Sequence, residues 1–136
     1  MKFFMDRNLP QQLARLIEAF DRKSEVRHLD DEFDDQTPDT DWIAAIGKRD
    51  PVPVVICGDG RILRNPAEAQ ALRDARLTFF LMAEGWSGLK WEERAWKMIK
   101  VWPSIAANAS PRRPTIYRVT VQLKVEQFGL TDQLGK

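Results

Sequence analysis

Two aspartates stand where a short apolar run gives way to a turn or a helix. Asp6 follows Phe3-Phe4-Met5, and Asp59 follows Val54-Val55-Ile56-Cys57-Gly58. In a parallel α/β sheet, side chains at the carboxyl ends of strands face one crevice, where ligands bind. Carboxylates gathered in such a place need a counter-charge. Two of them ~4 Å apart repel by about 4 kcal/mol at an effective dielectric of about 20, and a third multiplies the cost. Mg²⁺ or Mn²⁺ takes all-oxygen ligands and keeps waters that serve as nucleophile, so the chemistry to expect is metal-assisted phosphodiester hydrolysis. Asp39 and Asp41, in Thr37-Pro38-Asp39-Thr40-Asp41, are the candidates for a third acid, and the spacing does not choose between them. Arg61 and Arg64 follow Asp59 closely enough to hold a phosphate.

Most of these residues also have a plainer role. An aspartate between two glycines, as at Asp59, suits a turn. Asp39 and Asp41 fall in a helix first turn, where the macrodipole favours acids without any function. The acidic run 30–35 reads as a solvated loop. Asp6 is harder to explain away, because it separates a buried strand from an independently capped helix. His28 and Cys57 read as structural, and there is no Walker motif, no Gly-x-Gly-x-x-Gly and no Cys/His metal spacing. A haloacid-dehalogenase-like phosphotransferase would need a second aspartate two residues after the first, where this chain has Asn8.

The elements that must position these groups alternate along the chain. A buried strand over 3–5 leads to a helix with Asn8 as N-cap, Pro10 in the first turn and Leu9, Leu13, Leu16, Ile17 and Phe20 on one face. A second strand over 24–29 precedes a helix capped by Thr37, with Pro38 at its first position and Gly47 at its end. Strands over 52–57 and 77–82 flank a helix that opens on Asn65-Pro66-Ala67-Glu68 and runs to about Ala75. Trp91, Ala95, Met98, Ile99 and Trp102 form a further helix stripe, which Trp102-Pro103 ends or kinks. Trp86, in Gly85-Trp86-Ser87-Gly88, is a candidate for exposure. Residues 117–125 alternate apolar and polar as one half-exposed strand. The pattern predicts a three-layer α/β/α sandwich with a mainly parallel central sheet.

At 136 residues the chain is one domain by length, and its formal charge of +1 excludes a strongly basic, nucleic-acid-coating protein. A single cysteine excludes an internal disulfide framework. No apolar run is long enough to span a bilayer, and Lys2 and Asp6 interrupt any secretory h-region, so the expectation is a soluble, cytoplasmic protein with no membrane partner.

Taken together, Phe4-Met5-Asp6-Arg7-Asn8-Leu9-Pro10, Thr37-Pro38-Asp39-Thr40-Asp41-Trp42-Ile43 and Val55-Ile56-Cys57-Gly58-Asp59-Gly60-Arg61-Ile62 resemble the PIN-like nucleases. The likeness is to the compact VapC-type toxin-like branch related to the Mut7-C group. It covers residues 1–105, with 106–136 as an extension of the same structural unit that carries a strand. The resemblance implies a Mg²⁺- or Mn²⁺-dependent ribonuclease, acting on RNA and silenced by a cognate antitoxin, with a homodimer as a further expectation. Carried over by position, Asp6, Asp59 and either Asp39 or Asp41 are the catalytic metal ligands. Asn8 orients Asp6 or a metal-bound water, Arg61 steadies the phosphate, and Lys48, Arg49, Arg61 and Arg64 make a basic stripe. A fourth acid is common in the family, and here the stretch directly after Asp59, as far as the helix running to about Ala75, offers only Glu68 and Asp74, both within a helix pattern. The alternative is a non-catalytic PIN-like module that binds a protein partner.

Overall fold

A computed structural model describes residues 1–134. Strands β1 (Lys2–Met5), β2 (Glu25–His28), β3 (Val54–Cys57), β4 (Phe79–Met82), β5 (Thr115–Val119) and β6 (Val125–Leu130) form one sheet. Its order is β2-β1-β3-β4-β5-β6, and every pairing is parallel except that of β5 with β6. The central strands β3 and β4 are buried throughout, as a parallel sheet covered on both faces requires.

Alternation along each strand assigns the faces. Phe3, Met5, Val54, Ile56, Phe80 and Met82 pack with α1 (Gln11–Phe20) and α5 (Trp91–Asn108). Phe4, Val55, Cys57, Phe79 and Leu81 pack with α3 (Asp39–Gly47) and α4 (Pro66–Ala75). The result is the expected three-layer α/β/α sandwich. The chain leaves β1 toward β2 on one side and later builds β3 and β4 on the other, so the strand order reverses between β1 and β3. That reversal is where open α/β sheets make their binding crevice. Both α4 and α5 move the chain one strand further in the same direction, but on opposite faces, so these two crossovers have opposite hands, a departure from the usual uniform hand.

Several elements differ from the sequence expectation, each for a physical reason. Helix α1 begins at Gln11 behind Pro10, without a side-chain cap, because Pro10 occupies the cap position and Asn8 lies two residues before it, its backbone N–H donating to Asp6. Helix α3 begins at Asp39 behind Pro38, so Thr37 does not cap it. Gly47 is its last residue rather than its cap, and a Cβ there would lie 2.6 Å from the Ala75 Cβ, which lets α3 and α4 touch.

The acidic run is not all loop. Leu29–Glu32 forms one helical turn, α2, capped by the His28 ring, with Asp31 returning a bond to the His28 N–H. Helix α5 continues through Pro103 to Asn108. Trp86 is buried, its indole N–H donating to the Val119 carbonyl at 3.0 Å. The alternating run at 117–125 is a hairpin: the chain turns at 120–123, with Leu123 at φ +67°, and returns as β6. Among the described residues no helix is long and apolar enough to cross a membrane.

Candidate metal centre

Asp6 leaves the end of β1 at the reversal of strand order. Its backbone N–H continues the sheet by donating to the Ile56 carbonyl at 3.0 Å. Its carboxylate is 4% exposed, and Oδ1 accepts from the Gly58 N–H at 2.9 Å and the Asn8 N–H at 3.2 Å. Burial pushes the Asp6 carboxyl up to about 6, with the Asp39 charge adding and the two backbone N–H groups opposing.

Asp39 stands in the first turn of α3, where the Trp42 indole N–H donates to Oδ1 at 2.8 Å and fixes it. Glu68 stands in the first turn of α4, where the Asp39 carboxyl is its nearest acidic influence. Burial first, then the neighbouring Asp39 carboxyl and the Asp6 charge, raise the Glu68 carboxyl to about 7. The Cys57 thiol, buried at the end of β3, is pushed well above its usual range by burial and then by the same three carboxylates. The three acids, each from a different element, thus act electrostatically on Cys57, and Asp39 on both of the others.

The other candidates stand elsewhere. Asp41 is exposed on the outer side of α3. Asp59 caps a 3₁₀ turn at Gly60–Leu63, Oδ1 accepting from the Arg61 N–H at 2.9 Å and Oδ2 from Arg61 Nε at 2.6 Å. The Arg61 side chain holds the Asp59 carboxyl below its usual range. Asp59 and Arg61 both line the crevice rim, with Asn8 and Arg64. The basic stripe is divided: Arg49 pairs with Glu32 and lies beside Lys2, Glu25 and Pro51, on the amino side of the sheet, away from Arg61 and Arg64.

Among the described residues, no three His, Cys, Asp or Glu side chains form a ready-made metal-ligand set. What they form is an acid pair, Asp39 with Glu68, and a third acid, Asp6, within electrostatic reach. Its chemistry suits a hard divalent cation. The donors are all oxygen, and among the described residues no Lys or Arg pairs with any of them. Two of the three hold protons more tightly than usual, as crowded carboxylates without a counter-charge do. Sequence spacing set Glu68 aside as a helix acid. The signal that finds it is its place three residues after the Asn65 cap, on the first turn of α4.

A cleft of about 980 Å³ opens beside the acids, along the carboxyl ends of β3, β4 and β5. Asn8 and Gly58, whose N–H groups hold Asp6, lie in its wall. Gly58 is required by close approach, since a Cβ there would stand 2.8 Å from the Asn8 carbonyl carbon. Gly58→Ala is expected to destabilise the protein by about 1–3 kcal/mol through this overpacking. Gly60→Ala, whose Cβ meets only Leu81 Cδ2 at 3.8 Å, is the mild control. Urea unfolding of the two variants checks this, and equal midpoints would contradict it.

Against known families, residues 1–84 match the family model described as PIN like domain, more than half of the chain. No curated protein and no solved structure matches it significantly.

Proposed function

This chain belongs to the PIN-like domain family, a nuclease-type fold, and from that premise we propose that it is a Mg²⁺- or Mn²⁺-dependent endoribonuclease. Within the family we place it with the VapC-like toxins, held in check by a cognate antitoxin. The observation that carries the reading is buried Asp6 at the reversal of strand order, within electrostatic reach of Asp39 and Glu68 and held by Asn8 and Gly58, which line the cleft.

Asp6, Asp39 and Glu68 are the residues that would hold the cation. When bound, it supplies Lewis acidity toward a phosphate oxygen and a water of lowered pKa. The chain's own groups do the positioning. The Gly58 and Asn8 N–H groups fix one oxygen of Asp6 and leave Oδ2 available. Trp42 holds Asp39 in the same way. Arg61 and Arg64, on the rim, supply donors to the substrate phosphate, and Arg61 is aimed by Asp59 until a phosphate draws it away. Asp59 is then free to turn toward the acids as a fourth carboxylate.

The alternative, a non-catalytic module that binds a protein partner, draws on the unpaired outer edge of β6, where Phe128 is exposed. Cleavage of a mixed structured-RNA pool with and without Mn²⁺ separates the two. Metal-dependent cutting by the parent protein that disappears in Asp6→Asn is the expected result. A parent that neither cuts nor binds Mn²⁺ transfers the reading to the partner module.

A further inference from the structure

The cleft extends past the acids to a wall that the matched segment does not supply. Arg118, Thr120, Val121 and Gln122 line it, all beyond residue 84. This wall is firmly anchored. Lys97 Nζ donates to the Val121 carbonyl at 2.8 Å, and the Thr120 and Lys124 backbones close the turn at 2.9 Å.

Arg118 has Glu126 opposite it in the register of β5 and β6, yet among the described residues it makes no ion pair. Its guanidinium lies 4.6 Å from the centre of the Phe128 ring instead. Phe128 is 50% exposed, an unusual place for an aromatic ring that buries little on folding. Arg64, across the cleft, is likewise without a carboxylate partner among the described residues. Arg61, Arg64 and Arg118 line the groove, with Asp59 and Glu84 as its acids, and an exposed ring stacks on Arg118. Guanidinium groups along a groove with an aromatic ring on one of them are what an unpaired nucleic-acid strand binds, phosphates to the charges and a base to the stack.

Resting on the ribonuclease reading, we propose that the β5–β6 hairpin is the strand-binding wall of this cleft. A single RNA strand runs along Arg64, Arg61 and Arg118, with one base stacked at the Arg118–Phe128 pair. Two features select a single strand over a duplex. Asp6 is 4% exposed, below the rim, where the convex backbone of a duplex does not reach. Bases of a duplex are also stacked on each other and unavailable to Phe128.

The test is fluorescence anisotropy of a 5′-labelled, unstructured 12-nucleotide RNA with the full chain in EDTA, at 50 and 200 mM KCl. Arg118→Ala and Phe128→Leu are each expected to raise Kd about tenfold. Arg118→Ala should also reduce the slope of log K against log salt by about 0.7, a change that Phe128→Leu should not make. Arg118→Lys keeps the charge without the planar stack, and is expected to restore the slope but not the full affinity. Unchanged affinity in both Arg118→Ala and Phe128→Leu, a duplex that binds as tightly as the strand, or no binding by the parent overturns the proposal. Mn²⁺-dependent cleavage by the parent, followed in parallel, tells the two failures apart. Cleavage with indifferent variants removes the hairpin and keeps the nuclease, while binding that depends on Arg118 and Phe128 without cleavage does the reverse.

Discussion

Glu68→Gln and Asp39→Asn are each expected to lower Mn²⁺-dependent RNA cleavage by at least about 100-fold. Loss of a group that merely supports a metal ligand costs about 10–100-fold, so loss of a ligand should cost more. Both replacements keep size and shape, and neither residue carries the core. Glu68 is partly exposed on α4, whose N-terminus is secured by Asn65, its side chain accepting from the Ala67 and Glu68 N–H groups. Folding should therefore survive, and the loss should appear in the metal dependence rather than in expression. Asp41→Asn is the matched control: same helix, same first turn, but directed to solvent. Equal rates for Glu68→Gln, Asp41→Asn and the parent in a cleavage time course would remove Glu68 from the site.

The second large effect is on stability. In the folded chain the Asp6 carboxyl titrates at about 6 and that of Glu68 at about 7, against ordinary values of 3.8 and 4.5. Between pH ~4 and ~7 the folded state thus binds more protons than the unfolded one, and stability falls as pH rises across that window. The contribution is fully present below the ordinary values and gone above the raised ones. For buried Asp6 the rise from 3.8 to about 6 corresponds to about 3 kcal/mol; Glu68, being partly exposed, adds less. Acids held low act oppositely and at lower pH. Asp21, kept down by the Ser24 hydroxyl and the Trp102 indole, loses its stabilising effect only as the medium turns strongly acid.

Metal-free protein is accordingly expected to melt about 5–10 °C lower at pH 8 than at pH 5. Excess Mn²⁺ at pH 8 should recover much of that loss, since a ligand at 100 times its Kd stabilises by about 2.7 kcal/mol. Asp6→Asn should flatten the pH dependence and abolish the response to Mn²⁺. Differential scanning fluorimetry across pH, with chelator and with Mn²⁺, measures all of this. A parent profile that is flat in pH and indifferent to Mn²⁺ would contradict it.

Much of this architecture was legible in the amino-acid order, and the exceptions share a cause. The continuous apolar runs at β1, β3 and β4 and the Asn65-Pro66 start of α4 are local signals, and the structure follows them closely. Asp6 was visible for the same reason, as a charge placed where a buried strand ends. Glu68 was not, because its meeting with Asp39 depends on α3 and α4 lying in contact at Gly47 and Ala75, a relation between elements. Asn8 looked like a cap because its type and spacing fit one, yet the helix starts later, behind Pro10, and the Asn8 N–H donates to Asp6 instead. The hairpin was hidden by its own regularity: Val121 and Leu123 keep the apolar period through the turn. Arg118 enters the cleft only through the register of β5 against β4, which no short window of sequence encodes.

The measurement that bears most directly on the acid cluster is calorimetric titration of Mn²⁺, without RNA, into the parent, Glu68→Gln, Asp39→Asn and Asp59→Asn proteins. Binding by the parent and by Asp59→Asn, with loss in Glu68→Gln and Asp39→Asn, is the predicted result, because Asp59 is occupied by Arg61 while no substrate is present. No binding by the parent, or a loss confined to Asp59→Asn, would contradict it.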